Sequence, residues 1–421
     1  VSDRDALLAA ICAQPDEDTP RLVFADWCEE YGEPARAAFI RAQVELARTP
    51  PWEPFAVRCR WRTPDVLDEK PFAAALPRVD GYHVAWADGR FRRGFGWALL
   101  VRTLSEWAER VEPLFAREPI GKVTFWHGQP DDWARVAASE CLRHLRELVL
   151  FGSPIEPLRA LRDRPAACGV TDIWFQRASG AGTPEVVEDL CRAPLGRAAR
   201  GLHFRTGYES LPALVDALNT RAPLERLSFL VMGVTAELLR RLFDGAVGAA
   251  LATLYLDTEP LGGDGLLALA EGIPGTVRDL ALINVGVPAD GLEALARCDR
   301  LSGLRRLNLS RNHLKPRAVR VLALSRALAG LRALYLADCR IGDKGVRHLV
   351  GSKFWHNLVE LDLRNSALSG AGVRHLLDAP RPPDLTALVL SAAALGGDDR
   401  AALTKKYGGA AVLVASEEPG W

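Results

Sequence analysis

Residues able to do chemistry are few in this 421-residue chain, and they do not converge. Gly262-Gly263-Asp264-Gly265 has the glycine content of a phosphate-cradling loop. It lacks the third glycine of a dinucleotide fingerprint and follows a strand-like phrase, where a tight turn is the ordinary use of glycine. Gly121-Lys122 runs into Val123, and Ala116 stands where a P-loop needs its first glycine. Neither a Gly-x-Ser-x-Gly nucleophile elbow, a His-Glu-x-x-His pair nor an EF-hand loop occurs. His348 and His375 sit in two equivalent Gly-Val-Arg-His-Leu stretches. On packed neighbouring helices they would stand roughly 10 Å apart, too far to share a zinc ion without a third ligand. Cys298-Asp299 sets a thiol beside a carboxylate without the helical catalytic domain that would use it. Asp26-Trp27 reads as a packing aromatic with a helix-side carboxylate. The expectation is a protein that is not an enzyme, with no catalytic residues, no metal and no cofactor.

One basic cluster could recognise phosphates. Arg58-Cys59-Arg60-Trp61-Arg62, with Arg90-Phe91-Arg92-Arg93, interleaves cations with rings, as single-stranded nucleic acid requires. Asp65, Asp68 and Glu69 follow closely, so a salt-bridged surface is the plainer reading. The 53 Lys and Arg balance 53 Asp and Glu, so the whole molecule has no net attraction for nucleic acid or anionic lipid. Only seven of those bases are Lys, a bias expected of a GC-rich bacterial genome. The eight cysteines have irregular spacing and no C-x-x-C pair, the usage of reduced, mostly buried thiols. No 18-residue apolar window and no basic-then-apolar leader is visible, so a cytoplasmic location without a membrane span is expected.

What positions these residues is a repeat. The phrase L-x-x-L-x-L recurs as Leu304-Leu307-Leu309, Leu331-Leu334-Leu336, Leu358-Leu361-Leu363 and Leu385-Leu388-Leu390. Looser copies run back to Ile120-Val123-Phe125, and the central positions step by 25–29 residues. Alternate residues of such a phrase point to opposite faces of a short strand. Each strand is followed by a helical pattern, as where Val346, Leu349 and Val350 make one apolar stripe. One unit cannot bury its own stripe, but a stack can. The period and the helix identify an α/β leucine-rich repeat solenoid, a horseshoe similar to the ribonuclease-inhibitor subclass. Of the asparagines expected three residues after the last Leu, Asn312 is present, while Cys339, Ser366, Met232 and Gly207 stand in other repeats. An irregular turn ladder, looser towards the N-terminal half, follows.

The first fifty residues do not repeat. Helical spacing covers Leu7, Leu8 and Ile11, then a second helix opens at Thr19-Pro20 and a third at Glu33-Pro34. Ten acids against five arginines make this an acidic module. Residues 49–93 hold six prolines and no period, and residues 94–101 suggest an additional strand followed by a helix over 104–115. The expected division is a helical module over 1–48, an irregular linker or capping segment over 49–93, and a solenoid over 94–421 of about 11–12 repeats. The runs Asp5-Ala6-Leu7-Leu8-Ala9-Ala10-Ile11 and Asp18-Thr19-Pro20-Arg21-Leu22-Val23-Phe24-Ala25-Asp26-Trp27, continued by Glu29-Glu30-x-Gly32-x-Pro34-x-Arg36-Ala37-x-Phe39-Ile40-Arg41, resemble the planctomycete repeat-companion domain. The resemblance implies a bacterial repeat protein with this module at its N-terminus, and it implies no chemistry. Cys28 departs from it, standing where the family carries an aliphatic residue.

In a solenoid of this kind the residues flanking the inward leucines line the concave face. There Trp126, Phe151, Trp174 and Tyr255 are large rings at positions that should be wet, and His203, Arg205 and Asp257 accompany them. Aromatic side chains mixed with charge are the makeup of an interface hot spot. The sequence therefore points to a scaffold binding a protein partner of unknown identity on this face. The alternative is a regulator of a partner enzyme, similar to the repeat arrays of GTPase-activating proteins, contributing Arg311 or Asn312 from a rim loop. Nucleic-acid binding through the arginine cluster is the weaker reading.

Overall fold

The structure, a computed structural model, describes residues 2–61, 65–79, 84–87, 90–126, 128–152, 155–176, 184–205, 211–220 and 223–414. It divides into two compact units, one of Val1–Thr49 with Arg62–Ala222, the other of Pro50–Trp61 with Pro223–Trp421.

The first unit begins with three helices. In α1 (Asp3–Ala13) the Ser2 hydroxyl accepts from the Asp5 N–H, and the Asp5 carboxylate accepts from the Ser2 N–H, closing a capping box. Helix α2 (Thr19–Glu30) has Pro20 in its first turn, and Asp18, rather than Thr19, stands at its cap. Asp18 makes no capping bond and instead pairs with Arg48 at the end of α3 (Pro34–Arg48). Ile11, Phe24, Ala25, Cys28, Ala37, Ile40 and Val44 form their common core, which Phe95 joins. That last contact depends on Gly94, whose φ is +87° and whose added Cβ would lie 2.6 Å from Ile40 Cγ1.

Strands β1 (Val84–Trp86), β2 (Phe91–Arg92), β3 (Phe95–Gly96) and β4 (Ala98–Val101) follow, with β2 and β3 forming a two-stranded hairpin. Strand β1 pairs antiparallel with β4. From β4 onward the unit is parallel, through β5 (Lys122–Phe125), β6 (Glu147–Phe151), β7 (Asp172–Gln176) and β8 (Gly201–Arg205). The register aligns Leu99, Val123, Leu148, Ile173 and Leu202, the central residue of each phrase. The helix expected over 104–115 is a π-helical turn, Trp107–Val111, running into a short α-helix, Glu112–Phe115.

The second unit is parallel throughout its strands: β9 (Arg226–Leu230), β10 (Thr253–Asp257), β11 (Asp279–Ile283), β12 (Arg306–Asn308), β13 (Ala333–Tyr335), β14 (Glu360–Asp362), β15 (Ala387–Ser391) and β16 (Ala411–Val414). Leu227, Leu254, Leu280, Leu307, Leu334, Leu361 and Leu388 form one ladder, each directly opposite the next. They are almost fully buried, as a stack of individually insufficient units requires.

The turn ladder is irregular in a specific way. Asn312 accepts from the Val285 and Val287 N–H groups of the preceding repeat and donates to Leu282 and Leu309 carbonyls. In the repeat of β10 that position is Glu259, buried, with its two oxygens accepting from Met232 and Val234 N–H groups. Cys339 and Ser366 donate to the Leu309 and Leu336 carbonyls. Gly207 lies outside the described residues. The unit also contains α4 (Pro54–Trp61), a helix formed within a stretch whose sequence has no period.

Candidate functional site

In β10, Leu254 and Leu256 are fully buried while Thr253, Tyr255 and Asp257 are partly exposed, so the alternation marks an open face of the sheet. On that face of the first unit the rings meet in pairs. Trp126, 37% exposed, stacks on Phe151 with centroids 5.1 Å apart, and the Arg102 guanidinium lies over its ring. Trp174 stacks on His203 at 3.6 Å, and His203 Nε2 lies 3.3 Å from Asp172 Oδ1. Arg205 is exposed and reaches Gln176 at 3.5 Å. Adjacent strands in register bring them together: Trp174 stands directly opposite His203, and Trp126 and Phe151 follow the paired Phe125 and Leu150. Trp174 Nε1 is buried and has no hydrogen-bond partner among the described residues. Tyr255 and Asp257 stand on the open face of the second unit, where Asp257 accepts from the Thr258 hydroxyl. Of the seven expected site residues, five thus share one unit and two belong to the other.

A different surface is more fully built. On β13–β15 the alternation disappears: Ala333, Tyr335, Glu360, Asp362, Ala387 and Val389 are all buried. The cover is α4. Arg60 Nη1 donates to Glu360 Oε2 at 2.5 Å and to Tyr335 Oη at 3.0 Å. The Trp61 indole N–H donates to the other Glu360 oxygen, and Tyr335 Oη donates to Glu360 Oε2. Asp362 holds Arg364 at 2.8 Å, and Arg364 lies over the Trp61 ring at 5.2 Å. Val57 packs with Ala387 and Val389, and Val412 and Val414 border them. Burial pushes the Tyr335 phenol upward, with the Glu360 charge acting in the same direction. Burial also raises Asp279, which Arg306 partly offsets at 2.9 Å.

The arginine cluster is therefore divided between the two units. Arg60 and Trp61 are engaged with Glu360, and Arg62 lies outside the described residues. Arg92 lies over the Trp97 ring at 4.6 Å and 3.5 Å from Glu147, while Arg93 pairs with Asp18 and donates to the Asp16 carbonyl. Arg60, Arg92 and Arg93 thus have intramolecular partners, while Arg58 is exposed. Asn312 is likewise unsuited to act on a partner, since its amide is buried in the turn ladder.

A cleft of about 690 Å³ in the first unit gathers Arg36 and Glu118 among phenylalanines. The Arg36 guanidinium lies over Phe39, Phe72, Phe91 and Phe95, and burial lowers its pKa. Burial raises Glu118 to about 7, against the Gly96 N–H donating at 2.7 Å and the charges of Arg36 and Arg117. Among the described residues no Ser, Thr, Cys, His or Lys lines this cleft. Burial also raises the thiols of Cys12 and Cys339 to about 12 and that of Cys28 to about 11, so they are protonated at neutral pH. Among the described residues no three His, Cys, Asp or Glu side chains come together as a metal site.

Residues 331–350, the strand and helix of one unit in the stack, match a family model described as Leucine Rich repeat. That unit is similar to a leucine-rich repeat. The search of curated proteins gives no match. Among solved structures, a chain from the crystal structure of the Rad7 and Elc1 complex in yeast is similar at 15% identity and a TM-score of 0.47, with 100% of this chain and 97% of that chain covered. No described helix of the repeat array or of the segments before it is long and apolar enough to cross a membrane.

Proposed function

We propose that this leucine-rich repeat protein is a non-catalytic scaffold that binds a protein partner on the concave face of its array. The observation that carries the reading is the pair of ring stacks in the first unit, the exposed Trp126 on Phe151 and Trp174 on the buried His203. Rings held rigidly beside Arg205 and Asp172 lose little conformational freedom on contact, which is what makes aromatic anchors effective. Tyr255 and Asp257 extend the same chemistry to the second unit. The segment over 1–48 acts as the repeat-companion module of a bacterial, cytoplasmic protein, and the array proper occupies 94–421.

The test is quantitative capture from native lysate with the wild-type chain and with Trp126→Ala/Trp174→Ala. A protein enriched by wild type and lost from the double variant, whose circular dichroism stays unchanged, supports the reading. Equal retention by both overturns the assignment of these rings as the contact.

A further inference from the structure

We propose that the open face over β13–β15 is a receptor for a short helical segment carrying an adjacent Arg–Trp pair, and that α4 is a built-in ligand which a partner segment of the same chemistry displaces. The proposal deepens the scaffold reading by naming a partner class, at a surface separate from the rings of the first unit.

Four observations support it. Helix α4 has eight residues, preceded by Pro50 and Pro51, and a helix so short does not persist by itself in water. It is held by the face on which it lies. Val57, Arg60 and Trp61 stand at i, i+3 and i+4, with Glu53 one turn earlier, so one stripe of the segment carries these contacts, while Ala56 and Cys59 are also buried. At one end Glu53 meets Arg332 at 3.3 Å, and at the other Arg60 and Trp61 meet Glu360. The receptor is shaped for this stripe. Ala333, Ala387 and Val389 leave room for a helix, and Glu360 places both carboxylate oxygens where an indole N–H and a guanidinium reach them.

The third observation is electrostatic. Glu360 is 0% exposed, and a buried carboxylate is costly unless it is paired. Arg60 and Trp61 supply two of its donors and Tyr335 a third, so emptying the face would leave an acid and a phenol seeking a cation and an N–H donor. The face therefore selects for Arg–Trp and against an acidic segment. Fourth, the chain on both sides of residues 50–61 belongs to the other unit, so α4 is an insertion held in place by tertiary contacts.

The probe is a fluorescein-labelled synthetic peptide of residues 50–61, read by anisotropy against the full chain. Because a tethered ligand competes at an effective concentration of about 1 mM, the wild-type chain should bind the probe at least about tenfold more weakly than Arg60→Ala/Trp61→Ala. A probe carrying the same two alanines should not bind, and adding Glu360→Gln to the double variant should weaken binding. Absence of saturable binding to the folded double variant, or equal binding to both chains, overturns the proposal. A second readout uses unaltered protein: excess unlabelled peptide should speed hydrogen exchange of the 55–61 amides, and unchanged exchange overturns it independently of the variant's folding. A wild-type dimer that the double variant breaks would assign the occupant to a second copy's α4 and refute the intramolecular ligand. None of these outcomes depends on Trp126 or Trp174, so failure here leaves the first-unit contact to be judged separately.

Discussion

At the scale of single residues, two acids are held by the fold in ways their neighbours dictate. Glu118 carries a folded pKa of about 7 against an ordinary value of 4.5, because burial outweighs its donor and nearby arginines. A carboxyl raised in this way binds its proton more tightly when folded, so its contribution to stability is complete below about 4.5 and is lost as pH climbs through about 7. Thermal melts at pH 5 and pH 8 should show Glu118→Gln narrowing the difference between the two, with the variant the more stable at pH 8. An unchanged difference would contradict the raised pKa. Glu259, which burial also raises, accepts from two backbone N–H groups of the preceding repeat. Glu259→Ala strands the buried Val234 N–H and should cost about 1–3 kcal/mol in urea denaturation. A loss near zero would mean that water replaces the carboxylate.

Among elements, the strands were the most legible part of the sequence. Each of the eleven L-x-x-L-x-L phrases falls on a strand, because period-2 burial against a stack leaves one pattern that works. The segment over 49–93 was opaque for a physical reason: α4 is only eight residues long, its buried Ala56, Val57 and Cys59 keep no helical period, and its partner lies about 300 residues away. The clues were present separately, Arg60-Trp61 as a basic-aromatic pair and Glu360 beside the central leucine of a phrase, but no spacing joins them. The ring stacks were half legible. Their positions followed from the phrase, whereas the pairing of Trp174 with His203 and of Trp126 with Phe151 depends on cross-strand geometry. Strand β1 is likewise fixed by pairing with β4, and the β2–β3 hairpin by the approach of Gly94 to Ile40. Gly94→Ala should lower the melting temperature of the chain both by left-handed backbone strain and by steric overlap, a combined cost of about 1–3 kcal/mol. An unchanged melting temperature would show that the hairpin can withdraw freely.

For the whole molecule, stability in a repeat array is a sum of local terms and nearest-neighbour interfaces. Leu148 and Leu361 occupy the same ladder position in the two different units, each essentially buried. Replacing either by Ala should cost about 2–5 kcal/mol. In a denaturant titration followed by hydrogen exchange, the Leu148→Ala variant should weaken protection chiefly within 65–222 and the Leu361→Ala variant within 223–414. Uniform weakening by both would mean that the array unfolds as one cooperative body.

The turn two residues past the last apolar position of each phrase also has a consequence for how such a protein can change. Val231, Thr258, Asn284, Arg311, Asp338 and Asn365 all sit there at φ between +51° and +62°. A left-handed backbone disfavours most side chains and a β-branched one above all, while asparagine tolerates it. Val231 is 52% exposed, so Val231→Asn gives up little packing and should gain about 1 kcal/mol in the melt. These turns therefore act as a row of independent trim points. Their residues can drift between strained and relaxed choices, raising or lowering the robustness of one repeat at a time, while the two faces on which partners would be recognised stay as they are.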